Sequence, residues 1–141
     1  MRETKLIVRS VTVLLVLALC SSEAAEREYK YKKVTVESGG EVLIYGHKNW
    51  DKSCQPLPAP KIKITRSPGN GTVDLRPGMF VIDGSWLPEA DRSCLGKSVP
   101  GLGVYYRANP TFRGVDAFEY EVTLGTRRQI TFVVEAQVSV K

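Results

Sequence analysis

The chain has a single histidine, His47, and three cysteines among its 141 residues, none of them in a CxxC pair. That leaves little to hold a zinc ion, whose sites draw on clustered Cys and His. No GxSxG elbow, P-loop, GxGxxG or HExxH run is present, so the usual markers of hydrolase, nucleotide and metalloprotease chemistry are missing. Acids such as Glu89 and Asp91 in "PEAD" read as solvated loop residues rather than as a catalytic pair. No stretch repeats apolar residues at a helical period, no internal repeat occurs, and no apolar run reaches the roughly 20 residues that a membrane span needs. Basic residues outnumber acidic ones, 20 to 15, but they are scattered rather than gathered in the dense stripe of a nucleic-acid binder. No cofactor is expected, no metal, and no enzymatic activity.

What the chain does have begins with a leader. Arg2, Lys5 and Arg9 precede the apolar run Val11–Leu19, and small residues follow at Ser21, Ser22, Ala24 and Ala25. This is the order of a secretory signal peptide, with cleavage expected after Ala24. Leu19 stands before Cys20 where a lipidation signal wants a small residue, so Cys20 is assigned to the leader. The expected mature domain, 25–141, keeps 17 basic and 13 acidic residues, a net charge of +4. No membrane span remains in it, and its location is expected to be periplasmic or secreted.

Two cysteines remain, Cys54 and Cys94. An even count in an exported domain predicts a disulfide. Closing that loop restricts the unfolded chain by about 4 kcal/mol.

Short β-rich runs separated by Gly, Pro, Asn and Ser predict an all-β, antiparallel sandwich. The expected strands are Tyr29–Glu37, Glu41–Tyr45, Lys61–Thr65, Thr72–Leu75, Met79–Ile82, Gly103–Arg107, Ala117–Leu124 and Arg128–Val138, with turns at "ESGGE", "RSPGNGT" and "RPGM". In "YKYKKVTV" the tyrosines and valines fall on opposite faces, which predicts a bulge between them. Two irregular loops are expected, Gly46–Pro60 and Asp83–Gly101, each with one cysteine and one tryptophan. His47 falls in the first and reads as exposed.

"NPTFRGVDAFEYEV", Asn109–Val122, reads as scaffold. Phe118, Tyr120 and Val122 alternate toward a core, and Phe112 plugs the sandwich end. Asp116, after Gly114, is placed to accept hydrogen bonds from turn amides; calcium binding is its rival role. Tyr120 occupies the place of a tyrosine corner, its hydroxyl reaching upstream backbone. "NGT" at Asn70–Thr72 spells a glycosylation sequon, but its glycine is better explained by the turn.

Tyr106, Pro110, Phe112, Gly114, Asp116, Phe118, Tyr120 and Val122 follow an order that resembles bacterial Ig-like and cadherin-like domains, and "IKITRSPGNGTV" is similar to their upstream strand pair. The resemblance implies an Ig-like Greek-key sandwich in a stand-alone envelope protein, and it names no ligand. Two readings follow. In the first, Trp50, Trp86, Lys48 and Arg92, drawn together by the disulfide, bind an envelope protein or glycan, with Lys52, Asp83 and Glu89 as further polar contacts. In the second the protein is a structural accessory, associating through a sheet edge. Against the first stands packing of the tryptophans over the disulfide.

Overall fold

The structure, a computed structural model, describes residues 27–84, 89–125 and 129–141. The expected leader and Trp86 lie outside the described residues. β-branched and aromatic runs form seven strands: β1 (Glu28–Val36), β2 (Glu41–Lys48), β3 (Lys61–Arg66), β4 (Gly71–Val81), β5 (Ser98–Ala108), β6 (Gly114–Leu124) and β7 (Ile130–Val140). They make a β-sandwich of two sheets, ordered β1-β7-β6-β3 and β2-β5-β4. With the strands lettered A to G, these are A-G-F-C and B-E-D, the Ig-type arrangement with the first strand moved beside the last.

That move corrects the expectation of wholly antiparallel pairing. β1 runs parallel to β7, from Glu28 opposite Phe132 to Val36 opposite Val140, while the other four pairings are antiparallel. A parallel neighbour needs a long connection, and here nearly the whole domain supplies it. The turn at Ser38–Gly39 therefore carries the chain from one sheet to the other and closes no hairpin. Nor does β1 contain a bulge, because its register is unbroken. Tyr29 and Tyr31 simply point outward, 50% and 69% exposed, and the half-buried Lys30 and Lys32 share the inward parity of Val34 and Val36.

Two further expectations give way. "RPGM" is no turn: β4 pairs with β5 continuously from Gly71 to Val81. Pro77 is tolerated because β4 is an edge strand, where a missing N–H breaks no ladder on the open side. The loop expected at Asp83–Gly101 holds a 3₁₀ helix, Glu89–Cys94, and the start of β5.

The main core joins Val104, Tyr106 and Ala108 of β5 to Phe118, Tyr120 and Val122 of β6, and to Val134, Ala136 and Val138 of β7. The Tyr106, Phe118 and Tyr120 rings stack in sequence, with centroids 6.0 and 5.9 Å apart. At one end of the sandwich Asp116 accepts hydrogen bonds from the N–H groups of Gly69 (3.0 Å), Asn70 (2.8 Å) and Ala117 (2.9 Å), and from the Tyr106 hydroxyl (2.9 Å). Burial raises its pKa, but these donors outweigh burial and hold it below the ordinary value. Gly114 has φ +135°, a conformation that favours glycine, and Phe112 packs at the core margin.

The disulfide Cys54–Cys94 is present, with Cα atoms 5.4 Å apart. It lies outside the main core and clamps the β2–β3 connection to the 3₁₀ helix. A small second core of Ile82, Cys94 and Val99 forms there, with Trp50 and Cys54 packed against it. Cys54 is held at φ 62° by a turn in which the Asp51 carboxylate accepts the N–H groups of Ser53 and Gln55, at 2.8 and 2.9 Å.

Candidate functional site

The end of the sandwich opposite Asp116 is not sealed by apolar side chains. Where the β1 edge of one sheet faces the β2 edge of the other, a cleft of about 230 Å³ remains. Its walls come from three strands: Glu28, Lys30 and Lys32 on β1, Ile130, Phe132 and Val134 on β7, and Tyr45, His47 and Lys48 on β2, with Trp50 and Leu124 beside them.

The β2 wall depends on one irregularity. The β2–β5 register shifts between Leu43 and Tyr45, which leaves Ile44 as an extra residue. Strict alternation with the buried Ile44 would turn Tyr45 and His47 outward. The bulge instead lets Ile44 fill the core and still brings both rings inside. Gly46 between them faces the other way, where a Cβ would stand 1.9 Å from a Phe80 ring atom. Any side chain there would have to displace the Phe80 ring.

His47 is thus not the exposed loop residue expected: it is 5% exposed. Its Nε2 shares a 2.9 Å hydrogen bond with the Tyr120 hydroxyl. Its ring also meets those of Tyr45, Tyr120 and Phe132, at centroid distances of 5.0, 5.4 and 6.0 Å. Burial, then the charges of Lys32, Lys48 and Lys30, push its pKa down to about 3. Tyr120 differs from the expected corner accordingly. It lies deep in β6 and reaches across to the other sheet, while the tyrosine that meets upstream backbone is Tyr106, whose hydroxyl donates to Asn70 O at 3.2 Å. Burial raises the Tyr120 pKa, keeping its hydroxyl protonated.

The lysines sit against aromatic faces. Lys30 Nζ is 4.3 Å from the Phe132 centroid, and Lys32 and Lys48 Nζ are 4.2 and 4.8 Å from that of Tyr45. Such contacts stabilise a partly desolvated ammonium group. Lys48, expected in a loop, is the last residue of β2 with its side chain only 5% exposed. It donates to Asp83 Oδ1 at 3.1 Å and to Gly46 O at 3.3 Å. Tyr45, also facing Asp83, has its pKa pushed up to about 12 by burial and then by that carboxylate.

Of the four residues expected to bind, the structure brings Trp50 and Lys48 to this cleft. Trp50 serves two surfaces, since it also packs against the small core at the disulfide. Arg92 is exposed on the 3₁₀ helix and does not line the cleft. Lys30, Lys32, Tyr45 and His47 were not among the sequence candidates. The inward parity of the two lysines was readable beside Val34 and Val36, whereas the bulge left no signal.

No family model, no curated protein and no solved structure matches the chain. The Ig-like resemblance rests on the residue pattern, and the sandwich rests on the strand order. Chemically, the cleft offers positive charge beside flat rings. His47, its one imidazole, is neutral with Nε2 engaged, which does not suit it to shuttle protons near pH 7. Among the described residues no group of three His, Cys, Asp or Glu side chains is arranged to hold a metal.

Proposed function

We propose that the protein is an exported binding module of the bacterial envelope, without catalytic activity, that takes a protein or glycan at the cleft between β1 and β2. The observation that carries this reading is the cleft itself. A sandwich of this size gains stability by filling its interior, yet this end keeps about 230 Å³ open and lines it with lysines and rings. Concave sites with a largely apolar wall and a few convergent polar groups are the usual form of a ligand site. The disulfide fits a periplasmic or secreted location, and among the described residues no helix is long and apolar enough to cross a membrane.

Truncating Trp50 tests it. Trp50→Ala should remain oxidised and folded, while losing about 2 kcal/mol of binding, or about thirtyfold in affinity. Capture from envelope extract, run beside thermal melting, reads both. Sheet-edge association, the second reading, draws on β4, an edge strand on which Met79 and Val81 are 63% and 51% exposed. A charge at Val81 should leave capture intact if the cleft is the site. Capture that survives Trp50→Ala but fails in Val81→Lys would transfer the function to that edge.

A further inference from the structure

Resting on the binding-module reading, we propose that the group filling the cleft is a single carboxylate carried on a six-membered ring, its charge at Lys32 and its ring against the apolar wall. Charge balance gives the valence. Three ammonium groups and one carboxylate, Glu28, line the cleft; Lys30 lies 3.5 Å from Glu28, and Lys48 pairs with Asp83 at 3.1 Å. Lys32 faces only the Tyr45 ring among the contacts of the described residues. The cleft therefore keeps one positive charge in excess, which suits a monoanion; a phosphate dianion would ask for more. Its lowered His47 pKa reports the same positive field, since Lys32 is the largest charge acting on that imidazole.

Size and wall give the body. A dry cavity of about 150 Å³ accepts a benzene ring, so about 230 Å³ holds a ring with a carboxylate and little more. Trp50, Leu124, Ile130 and Phe132 supply faces against which a flat or chair-like ring can lie. Two sources share this chemistry, an aromatic acid and an acidic sugar.

Calorimetry on the full oxidised protein tests the assignment, with phenylacetate and glucuronate as probes and phenylacetamide and glucuronamide as their neutral counterparts. At least one acid should bind. Its neutral counterpart, and the acid on Lys32→Gln, should each bind about tenfold more weakly, the loss expected for one hydrogen bond to a charged group. Lys32→Arg should restore most of the affinity. Binding by phenylacetate alone assigns an aromatic acid, and binding by glucuronate alone an acidic sugar. Equal affinity for acid and amide, or an acid that binds Lys32→Gln as well as it binds the original, overturns the proposal. So does failure of both acids to bind. In that last case, capture from extract that still depends on Trp50 leaves the binding module standing, and capture that does not depend on it removes both.

Discussion

Replacing Asp116 with alanine should destabilise the fold by about 3–5 kcal/mol, the cost of removing one partner from a buried charged network. Asp116 is 6% exposed and satisfies four donors, three of them backbone N–H groups on two separate segments. Alanine leaves the N–H groups of Gly69, Asn70 and Ala117 without their acceptor, and frees the Tyr106 hydroxyl from one of its two. The β3–β4 turn then loses its tie to the start of β6. Asparagine keeps an acceptor oxygen and should cost less than alanine. Because the folded pKa of Asp116 is depressed, its contribution is complete above the unfolded value of about 4 and is lost as pH falls through the lower folded value. Urea unfolding of the two variants at neutral pH gives the comparison. A variant as stable as the original would show that the corner is held by something else.

Stability should also fall as the solution is acidified from pH 6.5, above the range in which Asp116 protonates. The cause is His47. An unfolded histidine takes a proton near pH 6.5, whereas the folded one resists until about pH 3. Between these values the unfolded chain binds one proton more than the folded chain, so stability rises with pH in this window at about 1.4 kcal/mol per unit. The fold keeps this contribution in full above pH 6.5 and gives up about 2 kcal/mol of it by pH 5. Asp116 acts only below about pH 4, so the stretch from pH 6.5 to 4.5 separates the two groups. In His47→Gln the slope between pH 6.5 and 4.5 should flatten, and a slope that persists would assign it elsewhere.

Much of the frame was legible in the residues. Phe118, Tyr120 and Val122 alternate because one face of β6 is buried, and Cys54 and Cys94 had one partner each. Asp116 followed from a carboxylate placed after a glycine at a strand entry. The sequence was opaque where one residue changes parity or where a global pairing overrides a local sign. Ile44 is such a residue: as a bulge it reverses the faces of Tyr45 and His47, and no composition rule marks it. Pro77–Gly78 reads as a turn by local chemistry, yet the hydrogen bonds to β5 carry the strand through. Pairing of β1 with β7 joins the two ends of the domain, which short-range patterns do not encode. Lysines are usually solvated, so residue type alone does not mark Lys30 and Lys32. Their burial against Phe132 and Tyr45 is what makes this end of the sandwich unlike a filled core.

The most direct measurement of the central claim is an NMR titration of the isotope-labelled protein with a fractionated envelope extract. The fraction that binds should move the amide resonances of Lys30, Lys32, Tyr45 and Phe132 and the Trp50 indole N–H together, leaving the β3 and β4 edges unmoved. Shifts that gather instead around Met79 and Val81, with the cleft residues still, would contradict it.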